Sequence, residues 1–281
     1  MQKIDITHIG SLPFLNVEDA IDYTFKFDIP VLFSLPILNS KEFMGQDILH
    51  QLKIPFRMVD HKIHLEVSSL CTTSELIPAY FDLFINECLK RNRDEFKYQL
   101  IGPFTFYKMM TSSSNISFKD SWNFLIDKYL HLFDLFDNYK LIFFIDEPSI
   151  FLASEEELSL IKSFMDRLSV HKNTMNIGIH FCSKLHTSHF DLFSPYIINF
   201  DISQYISTEL SEVKGFNSCG ISVPYANVQD NLGIIKSKTE DRLFFTPSCG
   251  LAFDTSSSLD HTFNHLVNLK KLFLLDNPDG L

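Results

Sequence analysis

Short apolar runs alternate along the chain with longer stretches in which apolar residues recur at helical spacing. The apolar runs predict eight strands: Ile4–Ile9, Pro30–Leu35, Lys97–Ile101, Leu141–Ile145, Asn176–Cys182, Tyr196–Phe200, Ser218–Val223 and Arg242–Thr246. The stretches between them predict helices over Val17–Phe27, Ser74–Arg91, Lys119–Phe136, Ser154–Val170, Lys184–Leu192, Ser207–Val213, Val228–Lys238 and Leu259–Leu275. Strands that are apolar on both faces are typical of a parallel sheet covered by helices. The repeated strand–helix pattern therefore predicts an α/β fold, a (β/α)8 TIM barrel.

The bulk composition narrows the class of protein. The 281-residue chain has no linker rich in Gly or Pro, so we expect residues 1–281 to form a single domain. The net charge is −11 and the basic residues are scattered, which argues against nucleic acid or an anionic membrane as a partner. No apolar run reaches the roughly 20 residues of a membrane span, and the N-terminus lacks the apolar core of a signal peptide. The five Cys are widely spread and do not resemble a disulfide framework, so a cytoplasmic location is expected.

Candidate metal ligands follow three of the predicted strands. His180 and Cys182 lie two residues apart, so they share one face of their strand, and Cys249 follows the eighth strand. Active sites of such barrels lie at the carboxyl ends of the strands, where these residues would meet. One imidazole and two thiolates favour zinc, with Asp201 at the end of the sixth strand as a tentative fourth ligand. The alternative interpretation is a core histidine and buried free cysteines.

Two carboxylates follow the wholly apolar fourth strand. Asp146 and Glu147 are costly to bury there unless they meet a cation or hydrogen-bond donors. They indicate a site for the ammonium group of an amino-acid substrate. The alternative is that one of them caps the following helix. Gly10-Ser11 and Gly102-Pro103-Phe104-Thr105 are loops at which the backbone can approach a ligand closely.

Five short motifs occur in the order found in a known enzyme family. They are Ile9-Gly10-Ser11-Leu12-Pro13, Gly102-Pro103-Phe104-Thr105, Asp146-Glu147-Pro148, His180-Phe181-Cys182 and Pro247-Ser248-Cys249-Gly250-Leu251. With these motifs the chain resembles the C-terminal catalytic barrel of cobalamin-independent methionine synthase, in the superfamily shared with uroporphyrinogen decarboxylase. The similarity runs from residue 9 to about residue 275, and it is to the short, single-barrel type.

The resemblance implies zinc-dependent methylation of a small thiol, most simply homocysteine to give methionine. His180, Cys182 and Cys249 match the family's zinc ligands, and the zinc-bound thiol would lose its proton before attacking a methyl group. The resemblance also implies that Asp146, the catalytic residue in our assignment, binds the substrate amine with Glu147 beside it. The segment Ile9-Gly10-Ser11 would hold the substrate carboxylate.

Three departures from the family pattern bear on the zinc site and the methyl donor. Asp201 stands where the family has Glu, and the segment Gly220–Tyr225 lacks the family's His, the proton donor to the folate nitrogen. The single Trp122 falls on a predicted helix rather than at the barrel rim. A methyl-corrinoid releases its methyl group without needing a proton, so a corrinoid protein is the expected donor in place of methyltetrahydrofolate.

Other functions stay open at this point. A coenzyme-M-type methyltransferase and a porphyrinogen decarboxylase-like enzyme belong to the same superfamily. A decarboxylase needs neither zinc nor thiolate ligands, so bound zinc would argue against it. A barrel that binds a thiol or a corrinoid protein without turnover is the alternative from outside the enzymes.

Overall fold

A computed structural model describes residues 2–60, 62–67, 69–110, 116–170, 175–222 and 229–275. Its strands are β1 (Lys3–Ile6), β2 (Phe56–Val59), β3 (Lys62–Leu65), β4 (Glu95–Ile101), β5 (Lys140–Asp146), β6 (Met175–Phe181), β7 (Ile197–Asp201), β8 (Phe216–Ser222) and β9 (Thr239–Thr246). Its α-helices are α1 (Val17–Thr24), α2 (Gln46–Gln51), α3 (Phe81–Lys90), α4 (Pro103–Met109), α5 (Phe118–Asp134), α6 (Glu155–Ser169), α7 (Phe190–Phe193), α8 (Ser207–Glu212), α9 (Gln229–Lys238) and α10 (Ser256–Leu275). No helix in these described ranges is long and apolar enough to cross a membrane.

Seven parallel strands form the main sheet, in the order β1-β9-β8-β7-β6-β5-β4. From β5 to β9, each strand pairs with the strand before it in chain order, and β1 pairs with β9. The chain therefore progresses in one direction around the sheet. The helices between the strands cover the outer face, where Phe rings such as Phe133 and Phe143 pack edge to face at 4.8 Å. The α/β class and the parallel sheet confirm that part of the sequence prediction.

The sheet is curled, and its two edge strands are brought together across the interior. Arg242 on β9 donates to Asp5 on edge strand β1 at 2.6 Å. The same guanidinium donates twice to Glu95 on the other edge strand, β4, at 2.6 and 2.8 Å. Arg and carboxylate groups favour this bidentate geometry. The Arg242 guanidinium therefore links the two edge strands, β1 and β4.

The second predicted strand, Pro30–Leu35, is not a regular strand. Its backbone forms isolated bridges to both edges: the Leu32 amide donates to the Lys97 carbonyl at 2.9 Å, and the Ser34 amide donates to the Gly10 carbonyl at 3.2 Å. Pro30 has no amide hydrogen, so its carbonyl alone takes part, accepting from the Lys97 amide at 2.9 Å. The segment therefore lies between β1 and β4 without forming a continuous ladder with either.

Several helix boundaries differ from the sequence prediction for local reasons. The helix predicted from Ser74 begins only at Phe81, because Pro78 interrupts the pattern and Tyr80 adopts a left-handed conformation with φ of 60°. The helix predicted over Lys184–Leu192 is replaced by a short 3-10 turn and the one-turn helix α7. Ser154 caps α6 as predicted, accepting a hydrogen bond from the Glu157 amide.

Parts of three sequence predictions lie outside the described residues. These are Val223 at the end of the seventh predicted strand, Val228 at the start of a predicted helix, and positions 223–225 of the segment that lacks the family's His.

The long connection after Leu35 contains the antiparallel hairpin of β2 and β3, where a small hairpin was expected around Ile63.

We expect Gly178 on β6 to be intolerant of a side chain. A Cβ atom added there would lie 2.3 Å from Cε1 of Phe144 on β5, so Gly178→Ala should lower the free energy of unfolding by about 1–3 kcal/mol. Gly233 on α9 is the matched control, because an added Cβ meets nothing within 4 Å. Gly233→Ala should be neutral or stabilising by up to about 1 kcal/mol. Urea unfolding followed by circular dichroism measures both, and equal midpoints would contradict the prediction.

Candidate functional site

A cavity of about 320 Å³ opens at the carboxyl ends of the parallel strands. Most of the residues singled out from the sequence line it together: Ile9, Gly10, Ser11, Asp146, His180, Cys182 and Cys249. Apolar side chains such as Phe33 and Phe253 line much of the remainder. A mostly apolar cavity with a few convergent polar groups is the usual form of a small-molecule site.

Strand register places the polar residues in one row. Asp146 on β5 lies opposite His180 on β6, and His180 lies opposite Asn199 on β7. Asn199 in turn lies opposite Gly220 on β8. Residues opposite one another in neighbouring strands face the same side of a sheet, so the three polar side chains lie next to one another. Gly220 provides the space for Asn199, since a Cβ there would lie 2.3 Å from its amide nitrogen.

Asn199 sets the tautomer of His180. The amide nitrogen of Asn199 donates to the Thr246 hydroxyl at 3.2 Å, so its oxygen is directed at Nδ1 of His180, to which it is hydrogen-bonded. Because the amide oxygen only accepts, Nδ1 carries the proton and Nε2 keeps its lone pair. Burial lowers the pKa of His180 to about 4, which keeps the ring neutral at pH 7. A neutral imidazole with its other nitrogen anchored is the form that binds metals.

The two candidate cysteine ligands contact each other. The Cys182 thiol donates a hydrogen bond to the sulfur of Cys249, and this donation lowers the pKa of Cys249 while raising the pKa of Cys182. The strands that carry them are far apart in sequence, so only the curled sheet brings the two sulfurs together. The pair supplies one sulfur that ionises readily, which is the state that a metal or an electrophile requires.

The donor set fits a soft divalent ion such as zinc. The Nε2 lone pair of His180 and the sulfurs of Cys182 and Cys249 belong to residues that line one cavity. In the described ranges, no three His, Cys, Asp or Glu side chains are already grouped closely enough to hold an ion. Zinc therefore stays a prediction from ligand chemistry.

Asp201, the tentative fourth ligand, ends β7, and its carboxylate is hydrogen-bonded to a residue two positions further along the chain. Its carboxylate accepts from the Ser203 amide at 2.9 Å and from the Ser203 hydroxyl at 2.6 Å, which caps a short 3-10 turn. Its side chain is not among those lining the cavity, although its charge opposes ionisation of Cys249. Both hydrogen bonds with Ser203 are made to Oδ1, so Ser203 does not engage Oδ2, and a ligand role for Asp201 stays a prediction.

Asp146 lies in a buried network that includes a cation. Its Oδ1 accepts from Nε2 of Gln99 at 2.5 Å. Lys97 is fully buried on the same strand as Gln99, and its charge attracts that of Asp146. Burial raises the pKa of Asp146 and lowers the pKa of Lys97, and their mutual attraction opposes both shifts. The predicted amine-binding carboxylate thus has a counter-ion within the chain.

The carboxylate of Glu147 is hydrogen-bonded to backbone amides at the start of a helix. Its two carboxylate oxygens accept from the backbone amides of Phe104 at 2.9 Å and Thr105 at 2.7 Å, at the start of α4. Gly102 is needed for this approach, because a Cβ at that position would lie 2.2 Å from the carboxylate. Glu147 does not line the cavity, and it caps the preceding helix α4, whereas the sequence alternative was a cap of the following helix. Its predicted contact with substrate stays untested.

Several polar residues at or beside the cavity were not predicted from the sequence. Lys97, Gln99 and Asn199 adjoin Asp146 and His180, and Ser34, Glu42, Asp47 and Gln51 line the cavity itself. A signal exists for Lys97 and Gln99: together with Glu95 they alternate with apolar residues along one strand, which indicates a strand with a polar inner face. No comparable signal marks Asn199, because a lone Asn in an apolar strand is equally typical of a turn.

Comparison with known proteins reveals a likeness of fold. No family model matches the chain, and no curated protein matches it. A solved structure of a B12-independent methionine synthase from Shewanella sp. W3-18-1, in complex with selenomethionine, superposes with a TM-score of 0.66 at 15% sequence identity. The match covers 96% of this chain and 98% of that one. At this identity the likeness shows that the two chains share a fold.

We expect Cys249 to be the most readily alkylated cysteine in protein treated with a chelator. The hydrogen bond from Cys182 favours the Cys249 thiolate and lowers its pKa, so Cys182→Ala should raise that pKa and slow alkylation at neutral pH. The rate of iodoacetamide modification as a function of pH, followed by peptide mass spectrometry, measures the shift. Exposed Cys71 serves as the internal control. An unchanged pH profile for Cys249 in the variant would contradict the assignment of this hydrogen bond.

Proposed function

We propose that this protein is a zinc-dependent methyltransferase that moves a methyl group to a small thiol, most simply homocysteine, to form methionine. The observation that carries the proposal is that His180, Cys182 and Cys249 line one cavity, which the buried carboxylate of Asp146 also lines. The fold shared with a methionine synthase supports it. The motif order along the sequence supports the same family, the single-barrel type of cobalamin-independent methionine synthase.

The proposal includes a closed (β/α)8 barrel in a single catalytic domain over residues 1–281. Segment Pro30–Leu35 is taken as the eighth strand, completing the ring between β1 and β4. Its bridges to both edges and the Arg242 contacts across the interior support closure. We further propose that the protein acts in the cytoplasm, since thiolate ligands require reduced cysteines.

The proposed zinc ligands are Nε2 of His180 and the sulfurs of Cys182 and Cys249, with Asp201 as the tentative fourth. A bound zinc would acidify an incoming thiol so that it attacks as a thiolate. The chain's own contribution is to hold the imidazole in the required tautomer through Asn199. It also supplies one cysteine that ionises readily, Cys249.

The proposed substrate contacts lie on the neighbouring strands. Asp146 would accept hydrogen bonds from the substrate ammonium, and the backbone and hydroxyl of Ile9-Gly10-Ser11 would donate to its carboxylate. These residues line the same cavity as the proposed zinc ligands, so a bound amino acid can direct its sulfur at them. Holding the thiol and the methyl donor in line contributes to the rate by reducing the entropy lost on reaching the transition state.

The proposed methyl donor is a methyl-corrinoid, carried by a partner protein. The cavity holds about 320 Å³, so a bulky donor must present its methyl group from the open side. The chain shows no histidine in the segment where the family's proton donor stands. Trp122 donates to the Leu160 carbonyl at 3.1 Å and packs on Phe164 between α5 and α6, which leaves it unavailable for stacking on a folate at the cavity.

We expect the purified protein to bind about one zinc per chain. His180→Ala and Cys249→Ser should each lose most of the zinc, because removing one ligand leaves an incomplete shell. Cys71→Ser, which alters an exposed cysteine outside the cavity, is the matched control and should keep it. Metal analysis after zinc loading and gel filtration measures the content. Equal zinc in the parent and in Cys249→Ser would contradict the proposed site.

We expect methyl transfer to homocysteine to be faster from a methyl-corrinoid than from methyltetrahydrofolate. The physical reason is that the corrinoid leaves without a proton, whereas the folate nitrogen needs one. Initial rates of methionine formation by the zinc-loaded chain with each donor measure the difference. Faster turnover with the folate would refute the donor assignment, and zinc binding without transfer from either donor would favour a non-catalytic thiol-binding barrel.

A further inference from the structure

Gln99 has a buried acceptor atom with no partner. Its side chain lies on β4, lines the cavity, and is about nine-tenths buried. Nε2 donates to Oδ1 of Asp146, while Oε1 is buried without any hydrogen bond to the residues that the structure describes. Buried polar atoms without partners are few in native proteins, and each costs free energy unless something pairs with it. This atom belongs to the amide that is bonded to Asp146, the proposed ammonium-binding carboxylate.

The orientation of the Gln99 amide follows from Asp146. The amide nitrogen of Gln99 donates to Oδ1 of Asp146, and the charge of Lys97 favours the ionised carboxylate that accepts this bond, so the amide oxygen faces away. Exchanging the two atoms would place one oxygen against another. The free atom is therefore an acceptor, and its missing partner is a donor such as an N–H group.

Lys97 explains why a neutral acceptor is useful here. Its Nζ donates to the His8 carbonyl at 2.8 Å and lies 4.4 Å from the centre of the Phe144 ring, fully buried. Because its charge already balances that of Asp146, a second cation gains less from that carboxylate alone. A primary ammonium carries three N–H donors, and a neutral carbonyl can accept one of them without adding charge.

The position of Gln99 also suits an α-amino acid. The side chain lies against Gly10, where an added Cβ would be 3.8 Å from Cγ of Gln99. Gly10 belongs to the segment that holds the substrate carboxylate in the proposed function. The ammonium and carboxylate of an amino acid are attached to the same carbon, so their two subsites must adjoin as these do.

We propose that Gln99 is a specificity-determining residue, whose Oε1 accepts one N–H of the substrate ammonium while Asp146 accepts another. The pair selects amino-acid thiols and thioethers over analogues that lack the amine. This inference rests on the proposed function and adds a residue to its substrate site.

The test compares the binding of L-methionine with that of 4-(methylthio)butanoate, the same molecule without its amine, by calorimetry on the 281-residue chain. The parent should prefer methionine, and Gln99→Met should reduce the ratio of the two dissociation constants by about tenfold. In Gln99→Glu the two adjacent carboxyl groups share one proton, so the Glu keeps both a donor to Asp146 and an acceptor and should retain the preference within a few-fold. A purely structural role for Gln99 predicts equal losses in both variants and would overturn the proposal.

Gln51 on α2 is the rival acceptor and provides a second comparison. It lines the same cavity, and its Oε1 is also buried without a partner, but it makes no contact with Asp146 in the described hydrogen bonds. Loss of the methionine preference in Gln51→Met, with Gln99→Met unchanged, would overturn the assignment. Parent protein that binds neither ligand contradicts the proposed function and this inference together, whereas a preference that Gln99→Met leaves intact contradicts the inference alone.

Discussion

The parallel register of the strands is the constraint on which the candidate site depends. It sets Asp146, His180 and Asn199 opposite one another on adjacent strands, so that three polar side chains face the cavity in a single row. A slip of one residue in any pair would turn one of them to the helical face. Gly178 and Gly220 maintain the register, because Phe144 and Asn199 occupy the space that side chains at those positions would need.

The interior of the curled sheet carries more charge than packing alone would favour. At one end Arg242 joins Asp5 and Glu95, and near the other end Lys97 is paired electrostatically with Asp146. Between them lies a small apolar cluster of Ile29, Ile142, Phe144, Ile197 and Phe244. Buried charges are tolerated when they are paired and hydrogen-bonded, and the first group satisfies both conditions within the fold. The second group leaves Oε1 of Gln99 without a hydrogen-bond partner among the described residues. The group around Arg242 is therefore paired within the fold, whereas the group around Asp146 is suited to receive a ligand.

Fold and chemistry contribute separately to the functional conclusion. A shared fold at 15% identity is compatible with many activities, so the likeness to a methionine synthase does not by itself assign one. The proposal depends instead on which atoms reach the cavity: an imidazole nitrogen kept free by Asn199, two sulfurs in contact, and a carboxylate with its own counter-ion. Asp201 and Glu147 show how a predicted site residue can serve as a local cap. Glu147 accepts from two backbone amides, and Asp201 accepts from the amide and the hydroxyl of Ser203.

The sequence by itself determined the α/β class, the positions of seven parallel strands, and the residue types gathered at their carboxyl ends, because apolar periodicity and strand termini are local properties. It also marked His180 and Cys182 as neighbours on one face, since two residues of a strand always share a side. Only the tertiary structure decided that Cys249 contacts Cys182, that Glu147 caps α4, and that Lys97 and Gln99 adjoin Asp146. Those contacts join residues distant in the chain, and they depend on sheet curvature and register, which no local pattern encodes. The irregular form of Pro30–Leu35 was decided in the same way, because its hydrogen bonds are shared between two strands that meet only when the sheet curls.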